Sequence, residues 1–199
     1  ALGGARACPS KALLPYDARL ALRETLVEYL KRLGNAAGSQ LALFIRNKIA
    51  VILTQFLKVD YPERWLHAWV DIQDLAKAGP GAADILVRIV ITLEEDAIAF
   101  HVDRNREEIE RCTALKEAMR RGSPSPAAEL LEFCLGACQA MMASSPGDAA
   151  RFLEATGSLL GWVDEVLATD SAVVTVLGEC MRHVHLSEDA ANALDELVR

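Results

Sequence analysis

Cys134 and Cys138 stand four residues apart, at the spacing that shares one helix face, with Cys180, His183 and His185 downstream. These are zinc-ligand types, and two helices can bring four such groups together. Buried core cysteines are the commoner use of the same pattern, so no metal is expected. The five cysteines are an odd and scattered set: Cys8, Cys112, Cys134, Cys138 and Cys180. That suits reduced thiols in a cytosolic or nuclear protein, not a disulfide framework. Glu94, Glu95, Asp96, His101 and Asp103 form an acidic cluster of the type that holds hard cations. Solvated charges at a helix C-terminus are the expected reading, although that placement opposes the helix dipole. The chain has no G-x-S-x-G, no G-x-x-x-x-G-K-[ST] and no H-E-x-x-H. With no convergent acid–base constellation, neither an enzyme nor a cofactor is expected.

Cationic groups offer the other chemistry. Arg46, Asn47 and Lys48 form a polar triplet inside the apolar stretch 41–58. They are placed either to contact a partner or to tie adjacent helices together. The segment 104–121 carries Arg104, Arg106, Arg111, Lys116, Arg120 and Arg121. Phosphate contact needs such charges unpaired. Yet Arg104–Glu108, Arg106–Glu110, Glu107–Arg111 and Glu117–Arg121 are all i,i+4 pairs, which favours an internally paired, solvated helix. Arg120 and Arg121 at its end are the better RNA candidates. Arg19, Arg23, Lys31 and Arg32 are ambiguous in the same way. The net charge of −7 is uneven: +3 over 1–38, +1 over 39–78, −3 over 79–101, +1 over 102–124 and −9 over 125–199. The acidic final third repels a phosphate backbone and suits either a basic protein partner or simple solvation.

These groups need a scaffold, and composition says which kind. Ala (32) and Leu (28) dominate the 199 residues, and both are strong helix formers. No uninterrupted apolar run is long enough to cross a bilayer, so no membrane insertion is expected. The N-terminus has no signal-peptide pattern. The chain start and end look arbitrary, as in a piece of a longer protein. Amphipathic periodicity predicts helices at 16–33, 41–58, 62–78, 82–100, 104–121, 126–143, 147–167, 170–184 and 187–198. Pro62, Pro126 and Pro146 fit the first helical position, and Ser125 and Ser145 fit N-caps. Gly34, Gly79–Pro80–Gly81 and Gly122 fit stops. Helices starting about every 21 residues pair into a period of about 43, within the roughly 40–47 of HEAT and armadillo repeats. A helical bundle has similar loops. The expected fold is an all-α superhelix of antiparallel helix pairs, spanning 1–199 with no second domain.

On a helical wheel Leu41, Ile45, Ile49, Ile52, Leu53 and Phe56 share one face, and Arg46, Asn47, Thr54 and Lys58 the opposite one. Trp65 and Trp69, at i and i+4, read as core between packed helices. The run Phe44, Arg46, Asn47, Lys48, then Asp60, Tyr61, Pro62 and Trp65 resembles the exportin-like N-terminal region of the importin-β (karyopherin) superfamily. Val102, Asp103 and Arg104, with Leu115, Lys116, Ala118, Met119 and Arg120, are similar to the corresponding stretch of the exportin-T family. The resemblance is clear over 41–121, plausible over 11–33 and weak beyond 125.

The resemblance implies a non-catalytic HEAT-repeat receptor that exports tRNA cooperatively with Ran-GTP. It also implies shuttling between nucleus and cytoplasm past nuclear pore proteins. It makes Arg46, Asn47, Lys48, Arg120 and Arg121 the candidate Ran or RNA contacts. Two other readings stay open: an exportin for a protein or pre-microRNA cargo, and a helical scaffold that binds only proteins.

Overall fold

The computed structural model describes residues 14–34, 41–98 and 104–198. Among these residues every element is helical: α1 (Tyr16–Gly34), α2 (Leu43–Asp60), α3 (Ala68–Ala76), α4 (Pro80–Leu93), a π-helical turn (Glu94–Ile98), α5 (Arg106–Arg120), α6 (Pro126–Met141), α7 (Pro146–Leu160), α8 (Glu165–Ala168), α9 (Ser171–Arg182) and α10 (Ser187–Val198). None of these helices is long and apolar enough to cross a membrane.

The local signals behave as their chemistry requires. Asn105 caps α5 in a capping box, its side chain accepting from Glu108 N while the Glu108 carboxylate accepts from Asn105 N. Ser125 caps α6 by accepting from Ala128 N at 3.2 Å, and Pro126 opens it. Gly122 stops the chain after α5 at φ +101°, a conformation that a side chain would strain. Pro146 opens α7, but Ser145 makes no capping bond; its hydroxyl donates to Asp148 at 2.6 Å. Pro80 starts α4 instead of stopping the preceding helix.

Three expected helices are shorter than their periodicity predicts. The helix expected over 62–78 is only α3, with turns from Tyr61 to His67. Arg64 N and Trp65 N both close onto Asp60 O, at 2.7 and 2.9 Å, folding the chain back at the end of α2. Trp65 is buried in that turn, its Nε1 donating to Asp71 at 2.7 Å, and Arg23 lies 4.5 Å over its ring. Trp69 is buried on α3 and packs edge-on to Tyr61. Both tryptophans are therefore core, but from different elements. The helix expected over 82–100 ends at Leu93 and continues as the π turn. The one expected over 147–167 breaks at Gly161 because Trp162 turns inward and is buried.

The helices stack in two rows. In one, α1, α3, α6 and α9 follow each other; in the other, α2, α4, α7 and α10 do. One continuous apolar core fills the space between, through Leu53, Leu86, Ile89, Leu130, Leu153 and Leu177. A helix pair cannot bury its apolar face alone, so stacking is obligatory. The buried face of α2 is Ile49, Ala50, Leu53, Thr54, Phe56, Leu57 and Asp60. Ile52, expected inside, is exposed, and Thr54, expected on the polar side, is buried. Arg46 and Asn47 of α2 meet α4, while Phe44, Val51 and Ile52 leave its outer side exposed.

Helix α5 stands outside the rows, against α2, α6 and the π turn. It lies where neighbouring helices end. Tyr61 Oη donates to Ala118 O at 3.4 Å, and Arg104 donates to Asp96 O and Ala97 O at 2.7 and 3.0 Å. Arg120 donates to Gly161 O and Trp162 O at 3.0 and 2.9 Å. Guanidinium groups on the last carbonyls of a helix satisfy orphan acceptors and oppose the dipole's negative end.

The most buried ion pair among the described residues is Arg19–Asp60, with side chains 8% and 1% exposed and bonds of 2.6 and 3.2 Å. Asp60→Ala strands the Arg19 charge, and about 3–5 kcal/mol of unfolding free energy is expected to disappear in urea titration. The double change Arg19→Met, Asp60→Leu is expected to recover most of it.

Candidate functional site

The only charges of helix α4 are Asp84 and Arg88, an i,i+4 pair on the side that faces α2 and α7. The Asp84 side chain is 10% exposed. Arg46 Nη1 from α2 donates to its Oδ2 at 2.7 Å. Arg88 grips both oxygens, Nε to Oδ2 at 2.8 Å and Nη2 to Oδ1 at 3.2 Å. Arg151 from α7 donates to Oδ1. Arg88 Nη1 also donates to Asn47 Oδ1 at 2.6 Å. Three guanidinium groups from three consecutive helices of one row therefore share one carboxylate.

The electrostatics follow directly. The cluster carries two unbalanced positive charges in a chain that is acidic overall. Burial alone would push the Asp84 carboxyl up, but the Arg88 hydrogen bond and the charges of Arg88, Arg46 and Arg151 outweigh it and hold it below the ordinary carboxylate value. Arg46 Nε is buried without a partner, so this cluster is short of acceptors. Arg151 is its most exposed member, at 40%. Lys48, on the same helix as Arg46, is exposed and has no partner among the described residues. Chemically the face can hold an anionic oxygen group; it contains no base poised beside a nucleophile.

The expected site residues thus separate. Arg46 and Asn47 are brought together, and both tie α2 to α4. Lys48 beside them is free for a partner. Arg120 is committed to the C-terminal carbonyls of α7. Arg121 is exposed and pairs with Glu117 at 2.9 Å. Of the four pairs expected along this helix, Arg106–Glu110, Arg111–Glu107 and Arg121–Glu117 form. Arg104–Glu108 does not, because Arg104 precedes the helix and Glu108 is occupied by the capping box. Asp84, Arg88 and Arg151 were not anticipated. One signal was available: the only two charges of an apolar helix, placed 38 and 41 residues after Arg46 and Asn47.

The cysteine and acidic clusters resolve differently. Cys134, Cys138 and Cys180 are buried, with Cys138 Sγ 3.7 Å from Cys180 Sγ. Burial pushes the Cys134 and Cys138 thiols up to about 12. Among the described residues no group of His, Cys, Asp and Glu is arranged to hold a metal ion. His101 and Asp103 lie outside the described residues. Asp96 instead accepts from Gln55 Nε2 at 2.7 Å and Lys58 Nζ at 2.9 Å. The Glu94 carboxylate accepts from Trp162 Nε1. Burial raises the Glu94 carboxyl despite that bond, and the Glu196 charge raises it further.

Opposite pH signatures are expected. A lowered folded-state pKa gives Asp84 a stabilising contribution that is complete above its ordinary value of 3.8 and fades as pH falls through the folded value. Asp84→Asn is therefore expected to lower the urea midpoint at neutral pH, with the gap closing in acid. Glu94 has the reverse sign: its contribution fades as pH rises from its ordinary value of 4.5 through the raised one. Glu94→Gln is expected to gain stability relative to the parent as pH rises, measured by the same titration.

Comparison with known proteins adds the lineage. Residues 43–194 match the family model described as Exportin 1-like protein. Exportin-T of Homo sapiens is 26% identical over 179 residues, which are 89% of this chain and 18% of that protein. Exportin-T of Danio rerio is 27% identical over 178 residues, with the same two coverages. Exportin-T of Oryza sativa subsp. japonica is 32% identical over 107 residues, 54% of this chain and 10% of the relative. The chain spans under a fifth of the length of these curated relatives. The matched region takes in the Asp84 cluster, the whole of α2, α4 and α7 and most of α10, and the chain belongs to the exportin 1-like family.

Proposed function

We propose that this chain is the N-terminal HEAT-repeat part of a nuclear export receptor that carries tRNA together with Ran-GTP. The observation that carries this reading is the similarity to proteins named Exportin-T across 89% of the chain. The receptor works by binding alone, shuttling between nucleus and cytoplasm and passing nuclear pore proteins on the way. A stacked solenoid suits such work, because each pair contacts only its neighbours and small adjustments add along the row. Two ligands that favour one curvature strengthen each other's binding by linkage.

Within this chain, Arg151 supplies the accessible charge of the Asp84 face, and Lys48 an exposed charge on another side of α2. Arg46, Asn47 and Arg88 hold that face together, and Arg120 positions α7. Arg121 is a further contact, available once its exposed pair with Glu117 opens, at little cost for a solvated ion pair. An anionic partner finds two positive charges already fixed around Asp84, so little ordering cost remains at binding.

The test uses the intact protein and labelled mature tRNA, titrated with and without Ran held in its GTP state. Tight tRNA binding only with Ran-GTP is expected. Lys48→Ala and Arg151→Ala are each expected to weaken it, and to reduce the slope of log K against log salt by about one per lost phosphate contact. Ran-GTP binding without any tRNA coupling would assign another cargo. Binding to neither would leave a protein-binding scaffold.

A further inference from the structure

Apart from Arg151, the acidic final third of the chain takes no part in the Asp84 cluster, and its helices α6 and α9 border a furrow on the opposite row. One hollow of about 720 Å³ lies between α3 and α6, and another of about 490 Å³ between α6 and α9. Glu132 and Gly136, at i and i+4 on α6, border both, so the two hollows flank that helix on either side. The floor is apolar, through Val70, Phe133, Leu135, Val173 and Val176. The rim is acidic. Asp74, Glu129, Glu132 and Asp170 line it against a single cation, Lys77, which already sits 2.8 Å from Asp74. Glu129 and Glu132 have no ionic partner among the described residues.

Gly136 sharpens the reading. A glycine inside a helix costs about 1 kcal/mol relative to alanine. Its φ is not positive, and a Cβ placed there would meet no atom within 4 Å. Neither backbone conformation nor packing asks for glycine. What its missing side chain does is keep the ridge of α6 low between the two hollows.

We propose that the furrow across α3, α6 and α9 is a docking site for a cationic amphipathic helix of a partner protein. An apolar floor calls for an apolar stripe, and an unneutralised carboxylate rim calls for Lys or Arg beside that stripe. Two interhelix spacings give the furrow a span of roughly 20 Å, the length of roughly 13 helical residues. This surface is separate from the Asp84 face and independent of which cargo that face meets.

The test is fluorescence anisotropy on the intact protein. The probe is a labelled Leu/Lys amphipathic peptide of about 14 residues, with a Leu/Glu twin as control. The cationic peptide is expected to bind and to weaken as salt rises, and the acidic twin to stay free. Gly136→Trp fills the furrow without changing charge and is expected to reduce affinity at least about tenfold, with the thermal midpoint preserved. Glu132→Lys, an exposed position, is expected to do the same if the glycine variant folds poorly. No binding, equal binding of the twin, or binding indifferent to both changes would overturn the proposal. So would a concentration-dependent dimer abolished by Gly136→Trp, which would give the furrow to a second copy of the chain.

Discussion

A single carboxylate in α4 receives guanidinium groups from α2, α4 and α7, and the stacking of three of the four helices in one row passes through it. Apolar packing between successive helix pairs is strong but weakly directional: Leu against Leu tolerates a slide of one turn. A buried or half-buried polar contact does not, because a displaced partner leaves an unpaired group. The polar ties between repeats recur at nearly constant separation. Arg19–Asp60, Asn47–Arg88 and Gln55–Asp96 are 41 residues apart, Arg46–Asp84 and Lys58–Asp96 are 38, and Arg120–Trp162 and Cys138–Cys180 are 42. The period of the fold is thus written in its hydrogen bonds, and they set the register that the apolar core alone leaves loose.

The same logic explains α5. It interrupts the repeat, yet it binds the ends of three helices through Tyr61, Arg104 and Arg120. Helix ends expose unpaired carbonyls, and an edge made of several such ends needs donors. Arginine supplies them with a charge of the right sign. Much of the positive charge in 102–124 is therefore spent on structure and on pairs along α5, which leaves the Asp84 cluster as the better anion-facing surface.

Fold class, most helix starts and the polar triplet of α2 were legible because they depend on local chemistry. Pro126, Pro146, Ser125 and the i,i+4 pairs of α5 act within one turn of chain. The errors occur where tertiary burial wins. Pro62 has the right residue type for a helix start, but burying Trp65 against Arg23 and bonding it to Asp71 requires turns before α3. Trp162 ends α7 for the same reason. The partners of Arg46 and Asn47 lie about one repeat away, and Arg151 lies 67 residues beyond Asp84, distances at which periodicity names a helix but not a side chain. The resemblance found the triplet without showing what it touches.

The account rests on polar ties setting the register of the stack, and a double-mutant cycle across α2 and α4 measures that directly. Arg46→Met, Asp84→Leu and the pair would be compared by urea unfolding. Side chains 17% and 10% exposed, with Arg88 and Arg151 sharing the acid, predict a coupling of about 1–3 kcal/mol between the two positions. A coupling near zero, with the two single changes simply adding, would mean that apolar packing alone registers the repeats and would contradict the account.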